Sequence, residues 1–179
     1  MMNKNTDITD FSITRAGILP FFVNADGAVE YMFMTPHHKK GFTPPKDQIC
    51  KGGRWVKKDG VWQDMDDRNL ASTDGLELES FSDTAIREGK EELGLREQNI
   101  AKLYDVGVVE FISEKKKNRT KMYMFAAEVK SKTDFDDVVN VPNAPVAKVQ
   151  WMTLEKFGNQ GREDHVPIVE SIVEKLHSL

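Results

Sequence analysis

The residues best suited to chemistry are three glutamates close together in the sequence, Glu88, Glu91 and Glu92. Successive residues of an α-helix turn by about 100°, so a helix through this segment places all three carboxylates within roughly one such arc of its surface. Carboxylate oxygens are the ligands that Mg²⁺ and Mn²⁺ prefer, and these ions also bind phosphate groups. The segment therefore indicates metal-assisted phosphoryl transfer to water. The alternative is a solvated helix face, which is what most glutamate-rich helices present.

The helix that carries these glutamates has clear boundaries. Ser80 followed by Asp83 is a capping-box pattern, and Gly94 stands where helices commonly end in the left-handed conformation. The spacing thus predicts a helix from about Ser80 to Leu93. Three apolar residues on an adjacent arc can pack on a sheet and hold the acidic face in place: Ala85, Ile86 and Leu93.

The remaining pattern predicts an α/β fold with a mixed β-sheet. Alternating and apolar runs separated by turn residues predict strands at 16–23, 29–34, 54–56, 61–63, 100–112, 121–129 and 146–152. Apolar residues at helical spacing predict a terminal helix at 165–179. Because Pro20 cannot donate a ladder hydrogen bond, we expect the first strand to lie at an edge or to carry a bulge there.

The glutamates belong to a longer pattern that resembles the box of the Nudix hydrolase family, G-x5-E-x7-R-E-U-x-E-E-x-G-U, where U is a bulky apolar residue. The matching residues are Glu79, Arg87, Glu88, Glu91, Glu92, Gly94 and Leu95. The resemblance implies an α/β/α sandwich around the mixed sheet and hydrolysis with Mg²⁺ or Mn²⁺. It also implies metal binding by the three helical glutamates, which are the catalytic candidates, together with a backbone carbonyl at Gly52.

The same resemblance gives the other box residues supporting roles. Arg87 is expected to pair with Glu79 and to orient the helix without touching substrate. Glu91 or Glu92 is the first choice for the catalytic base, and acids outside the box are weaker candidates: Glu110, Asp136 and Asp137.

Two positions depart from the family pattern. Gly89 stands where a bulky apolar residue is expected, and an interior glycine costs a helix about 1 kcal/mol relative to alanine. Thr73 occupies the position of the box glycine, so we assign that role to Gly52 and place an insertion at about 53–78. The insertion carries Trp55 and Trp62. It is either surface decoration or a dimer contact, or else a lid or substrate wall.

Four charged residues outside the helix are candidates for contacts with phosphate or other substrate groups: Lys51, Arg119, Lys121 and Glu110. Arg119 and Lys121 belong to a basic run with Lys115, Lys116 and Lys117 between two predicted strands. A solvated loop tip is the plainer interpretation of that run, and capture of a polyphosphate is the alternative.

The resemblance implies cleavage of a pyrophosphate bond in a nucleoside diphosphate joined to another group, such as a nucleotide sugar, a dinucleoside polyphosphate or a nucleoside triphosphate. Two alternatives remain open. One is a Nudix-fold module that senses a nucleotide without hydrolysing it, and the other is a protein-interaction domain that uses the tryptophan hairpin.

Length and composition set the outer limits. The chain has 179 residues and a formal net charge of −4, which fits one domain over 1–179 and no nucleic-acid partner. No apolar run approaches the ~18–20 residues of a membrane span, and residues 1–11 lack the apolar core of a signal peptide. The lone Cys50 excludes an intramolecular disulfide. We expect a cytoplasmic protein with a small-molecule nucleotide ligand and no membrane partner, and we leave a homodimer open.

Overall fold

The computed structural model describes residues 12–65, 76–112, 117 and 119–179. These residues form nine strands, which are β1 (Arg15–Val23), β2 (Val29–Pro36), β3 (Cys50–Gly53), β4 (Trp55–Lys58), β5 (Val61–Asp64), β6 (Glu77–Leu78), β7 (Ile100–Ile112), β8 (Arg119–Val129) and β9 (Val146–Met152). They also form three α-helices, which are α1 (Phe81–Leu93), α2 (Leu154–Gln160) and α3 (Val166–His177). A short 3₁₀ turn covers Glu97–Asn99. Within these residues, no helix is both long and apolar enough to cross a bilayer.

The main sheet is mixed, as predicted. Its strands run in the order β7-β8-β1-β2-β9, and β3 pairs with the first half of β1. β1 and β8 are parallel, whereas the other pairs are antiparallel. A separate small sheet has the order β5-β4-β6 and lies within the predicted insertion at 53–78.

Helices cover both faces of the main sheet. On one face α1 buries Phe81, Ala85 and Leu93 against Ile18 and Phe125. A second apolar cluster on the other face joins α2 and α3 to the sheet through Leu19, Phe33, Phe157, Ile168 and Ile172. The fold is thus an α/β/α sandwich, and the predicted fold class is confirmed.

Local sequence explains the bounds and the depth of α1. The Ser80 hydroxyl accepts a hydrogen bond from the backbone N–H of Asp83 at 3.1 Å, and Gly94 ends the helix at φ 69°. A Cβ on Gly89 would lie 3.1 Å from Cγ2 of Ile18 and 3.2 Å from Cδ2 of Leu95. The departure from the family pattern at Gly89 therefore lies where the helix approaches β1 closely, and a bulky side chain has no room there.

Two predictions of local structure were wrong. β1 is an interior strand, not an edge strand, and its pairing with β3 ends at Ile18 while its pairing with β2 begins at Phe21. Pro20 lies in the gap between these two partners, where a residue without an N–H is tolerated. The sequence analysis also missed α2, whose first turn is capped by the Thr153 side chain. The predictions that concern Thr73, Lys115, Lys116 and residues 1–11 lie outside the described residues.

Candidate functional site

Arg87 contacts several of the groups that form the site. Its Nε and Nη2 donate to the two carboxylate oxygens of Glu79 at 3.0 and 2.9 Å, and Nη2 also donates to the carbonyl of Gly53 at 2.8 Å. Its Nη1 donates to Glu88 at 2.9 Å, and the guanidinium stacks on the Trp55 ring at 4.1 Å. Burial opposes the charge, but the carboxylates of Glu79 and Glu88 outweigh it and raise the pKa of Arg87. This side chain therefore locks α1 to the end of β3.

Glu79, the carboxylate partner of Arg87, is itself held by further hydrogen bonds. It accepts hydrogen bonds from the Thr84 hydroxyl at 2.7 Å and from the backbone N–H of Trp55 at 3.1 Å. Burial alone would raise the pKa of Glu79, yet the hydrogen bonds from Arg87 and Thr84 lower it. Glu79 is thus fully engaged with protein groups, which is the arrangement expected of a supporting residue.

Glu88 lies against the backbone of Gly52. A Cβ built on Gly52 would be 2.1 Å from the Glu88 carboxylate carbon, so only glycine allows the two segments to approach this closely. Glu88 is buried, and burial raises the pKa of its carboxyl although Arg87 opposes the shift. The structure therefore brings together two residues that the sequence analysis assigned to one site, Glu88 and Gly52.

Glu92 lies within electrostatic reach of Glu88 and of the Cys50 thiol. Burial, and then the charge of Glu88, raise the pKa of Glu92 to about 8. Glu91 differs from this pair in exposure, since its side chain is 49% exposed, and its carboxylate lies 3.5 Å from the Arg87 Nη1 that also contacts Glu88.

Within the part of the chain described, no three Asp, Glu, His or Cys side chains converge closely enough to enclose an ion. The donor set nevertheless fits a hard divalent cation. Glu88 is buried and Glu92 is half-buried, and the two carboxylates repel each other when both are ionised; a cation between them would relieve that repulsion. The Gly52 backbone lies against the same carboxylate, where a side chain would fill the space.

A group of cations lies near these carboxylates. Lys51 is half-buried, and burial together with the charges of Arg15 and Arg162 lowers its pKa to about 8, while the charge of Glu92 opposes this shift. His165 is buried beside them, and its Nδ1 accepts a hydrogen bond from the backbone N–H of Ile49 at 3.3 Å. Burial and the charge of Lys51 lower the pKa of His165 to about 3, so the ring is neutral. Lys51 was a candidate from its sequence context, whereas Arg15, Arg162 and His165 were not.

Arg54 is a further residue of the site that was not singled out from the sequence. Its guanidinium is fully buried, donates to the carbonyls of Ile13 and Glu79, and lies 3.7 Å from the centre of the Phe81 ring. It fixes the backbone that leads into α1. Arginine is seldom fully buried, so nothing in the pattern around residue 54 marked it.

The other predicted contacts lie apart from the box. Glu110 forms ion pairs with Lys121 at 3.4 Å and Arg119 at 3.8 Å at the end of the β7-β8 hairpin. Among the residues that can be described, none of the three is hydrogen-bonded or ion-paired to the glutamates of α1. Asp136 donates its backbone N–H to the carbonyl of Gly94, and the Asp137 carboxylate caps its own turn through Asn140. The structure thus groups Lys51 with the box and leaves these five residues outside it.

The two tryptophans of the inserted hairpin differ in position. Trp55 lies under Arg87, whereas Trp62 is 40% exposed with the Lys57 ammonium 5.6 Å from its ring centre. Asp59 and Gly60 both have positive φ, 51° and 81°, so the hairpin turns where the sequence predicts. Only the Trp55 end of the hairpin contacts the site.

Comparison with known proteins gives one family. A family model described as "NUDIX domain" matches residues 74–175, which is more than half of the chain. A search of curated proteins finds no match.

Many solved structures share the fold. An Ap4A hydrolase of C. elegans, in a binary complex, has a TM-score of 0.56 and 13% identity over 92% of this chain and 99% of its own. The NUDIX domain of Shewanella oneidensis NrtR, solved with ADP ribose, has a TM-score of 0.58 and 14% identity. The match covers 98% of this chain and 99% of that domain. The M. smegmatis Nudix hydrolase RenU has a TM-score of 0.57 and 12% identity, and the match covers 93% of this chain and 88% of RenU. The box on α1, the sandwich that holds it and the match over residues 74–175 agree, and the chain belongs to the Nudix family.

Proposed function

We propose that this protein is a pyrophosphohydrolase that uses a divalent cation, Mg²⁺ or Mn²⁺, to cleave nucleoside diphosphates linked to another group. The observation that carries the proposal is the buried Glu88 carboxyl, held against Gly52 and bonded to Arg87, with the half-buried Glu92 carboxyl beside it. Keeping two such groups together is unfavourable without a counter-ion. A site organised in this way is typical of cation binding, and less so of structural support.

The cation would be held by Glu88 and Glu92, by the backbone carbonyl at Gly52, and by Glu91 once its side chain turns from Arg87. Bound there, it would neutralise phosphate oxygens and acidify an attacking water. Glu91 is the exposed carboxylate of the three and so the one with access to solvent water. We therefore propose Glu91 as the catalytic base and Glu88 and Glu92 as the main metal ligands.

The test is phosphate release from a panel of nucleotide sugars, dinucleoside polyphosphates, ADP-ribose and nucleoside triphosphates, with Mg²⁺, Mn²⁺ or EDTA. We expect cleavage of one class that stops in EDTA. Glu91→Gln should lower kcat roughly 100-fold or more, because it removes a charged group at the centre of metal-assisted chemistry.

Glu97→Gln is the matched control, since it makes the same change at an exposed glutamate beyond the end of α1. It should leave turnover unchanged. Wild-type turnover in Glu91→Gln would remove Glu91 from the mechanism, and cleavage that persists in EDTA would contradict the metal requirement.

A second candidate function is nucleotide sensing without hydrolysis. The ion pair between Glu91 and Arg87 favours it, because that contact engages one box glutamate with a cation of the protein itself. The NUDIX domain of NrtR was solved with ADP ribose, and a similar ligand would suit this alternative. Calorimetric binding of ADP-ribose with no turnover of any nucleotide in the panel would favour the sensor over the hydrolase.

A further inference from the structure

The small inserted sheet of β4, β5 and β6 is joined to the Nudix box by Trp55. Its backbone N–H donates to the Glu79 carboxylate at 3.1 Å, and its carbonyl accepts the backbone N–H of Glu79 at 2.9 Å. Glu79 is in turn the ion-pair partner of Arg87. The indole ring of Trp55 lies against the Arg87 guanidinium, with 4.1 Å between Cζ and the ring centre. One residue of the insertion thus contacts both members of this ion pair.

The packing of the small sheet does not require a tryptophan at this position. Successive side chains of a strand point to opposite faces, and the apolar core of the small sheet lies on the Val56 face of β4, together with Met65 and Leu78. Trp55 points to the other face, and it belongs to none of the apolar clusters formed by the described residues. Its half-buried ring therefore packs on Arg87 and not in the core of its own sheet.

Arg87 divides its N–H groups between structural support and the proposed metal site. Five oxygens surround the edge of its guanidinium, as many as it has N–H groups. Nε and Nη2 face Glu79 and the carbonyl of Gly53. Nη1 faces Glu88 at 2.9 Å and Glu91 at 3.5 Å. The orientation of the guanidinium plane therefore influences where these two carboxylates are held.

The Trp55 ring restrains this plane in a direction that the edge contacts do not. Hydrogen bonds along its edge restrain a guanidinium within its own plane, whereas a flat ring against its face opposes tilting out of that plane. The ring also keeps water from the face that it covers, and exclusion of water strengthens the attraction between the guanidinium and the carboxylates. This restraint comes from the insertion and lies outside the box.

We propose that Trp55 is a positioning residue that sets the affinity of the site for its divalent cation. It does so by holding the Arg87 guanidinium, and through it the Glu88 carboxylate, in the orientation that binds the cation. The inference rests on the proposed function, because it assigns the cation to Glu88. It gives the Trp55 end of the insertion a role as support of the metal site, which is neither surface decoration nor a wall against the substrate.

The first test measures Mn²⁺ binding to the whole protein by calorimetry. Trp55→Leu should weaken Mn²⁺ binding about tenfold, since changes at groups that orient a metal ligand typically have effects of at least this size. Trp55→Phe keeps a flat ring over the guanidinium and should recover most of the affinity. Wild-type or tighter binding in Trp55→Leu would overturn the inference, and so would binding in Trp55→Phe as weak as in Trp55→Leu.

Val56→Ala is the matched control. Val56 is the next residue of β4 and is fully buried in the core of the small sheet, on the face away from Arg87. Its truncation loosens the sheet through lost packing and leaves the guanidinium contacts in place. At a temperature where each variant is folded, Val56→Ala should bind Mn²⁺ as wild type does. Equal losses of affinity in Val56→Ala and Trp55→Leu would show that only the integrity of the sheet matters, which contradicts a positioning role.

A double-mutant cycle with Arg87→Lys tests whether Trp55 acts through Arg87. Lysine keeps the positive charge beside Glu79 and Glu88 but lacks the planar group that stacks on the ring. Trp55→Leu should therefore lower Mn²⁺ affinity much less in the Arg87→Lys background than in the wild-type background. The same loss in both backgrounds would mean that Trp55 acts by another route, and the inference would fail.

The second test needs no metal and observes the Nε–H group of Arg87 by NMR. In the wild-type protein this group donates to Glu79 beside the face of the Trp55 ring. Its proton signal should lie upfield of the same signal in Trp55→Leu, because of the ring current, and should exchange with water more slowly. Val56→Ala should keep both features. An Arg87 signal that is the same in wild type and Trp55→Leu would overturn the inference.

Together the two tests separate the inference from the proposed function. Cation-dependent hydrolysis with the same Mn²⁺ dependence in wild type and Trp55→Leu would overturn the inference and leave the proposed hydrolase intact. A Trp55-dependent Arg87 signal, in a protein that binds no Mn²⁺ and cleaves no nucleotide of the panel, would support the positioning of Arg87 by Trp55 and contradict the proposed function.

Discussion

Acidic groups lie beside one face of the four-residue strand β3, and basic groups lie beside the other face. On the α1 face, Glu88 and Glu92 have raised pKa values, so the protein favours their neutral forms. On the α3 face, the pKa values of Lys51 and His165 are lowered, so there too the neutral forms are favoured. In each case burial is the largest cause, and neighbouring charges of the same sign add to it.

Bound counter-ions would stabilise both faces, a cation on the acidic face and an anion on the basic face. The protein holds the groups at a cost to its own stability, which is common at functional sites. The predictions below alter one face at a time, in order of decreasing effect.

The largest effect is expected from Gly52→Ala. The added Cβ would lie 2.1 Å from the Glu88 carboxylate, so the carboxylate or the strand must move. We expect the metal-dependent activity to fall roughly 100-fold or more, and the free energy of unfolding to fall by about 1–3 kcal/mol through overpacking. Activity assays and urea unfolding measure the two losses.

Gly158→Ala is the matched control, because a Cβ at Gly158 in α2 meets no atom within 4 Å. Alanine also favours a helix over glycine by about 1 kcal/mol. This variant should be as active as wild type and no less stable. A Gly52→Ala protein with full activity would show that Glu88 does not need its present position.

Glu92→Gln is expected to have the next largest effect, with opposite signs for activity and stability. In EDTA the folded protein holds the Glu92 proton up to about pH 8, whereas the unfolded chain loses it near 4.5. The wild-type protein should therefore lose stability as pH rises from about 4.5 to 8. Glutamine cannot ionise, so at pH 8 the variant should melt a few degrees above wild type, since about 1 kcal/mol moves Tm by about 2–4 °C at this size.

Addition of Mg²⁺ should reverse that ranking, because the cation stabilises the wild-type carboxylate and not the amide. Thermal unfolding with and without Mg²⁺, with Glu97→Gln as control, measures both effects. A Glu92→Gln protein less stable than wild type in EDTA at pH 8 would contradict this account of the acidic face.

The acidic face could be predicted from sequence and the basic face could not, for a physical reason. Glu88, Glu91, Glu92 and Gly94 lie on one helix, where spacing alone determines which side chains share a face. Arg15 and Arg162 come from distant parts of the chain, and both act on Lys51 because β1 pairs with β3 and Gly161 bridges Asp47. Single-sequence patterns carry no information on such pairings.

The same distinction separates the fold predictions that were confirmed from those that were wrong. The cap at Ser80 and the turn at Gly60 depend on local residues and were confirmed. The position of Pro20 depends on which strands flank β1, and the burial of Arg54 depends on carbonyls of Ile13 and Glu79 far from it in sequence. Neither the position of Pro20 nor the burial of Arg54 is indicated by the residues next to it in the sequence.

The smallest effect is expected from His165→Gln, on the basic face. Below about pH 6.5 the unfolded chain binds a proton at this histidine, whereas the folded protein does not until about pH 3, because burial and Lys51, Arg162 and Arg15 oppose the charge and Asp164 compensates only in part. His165 thus contributes stability above pH 6.5 that is lost as pH falls, at up to about 1.4 kcal/mol per pH unit.

Glutamine can still accept the hydrogen bond from Ile49 but does not titrate, so the His165→Gln variant should lose less stability than its parent between pH 6.5 and 5. Because Glu92 acts with the opposite sign over this range, the comparison is best made in EDTA in a Glu92→Gln background, with urea unfolding at each pH and His38→Gln, at an exposed histidine, as control. If the free energy of unfolding changes equally with pH in parent and variant, the folded protein accepts the His165 proton as readily as the unfolded chain. Lys51, Arg162 and Arg15 would then oppose protonation of His165 less than their positions indicate.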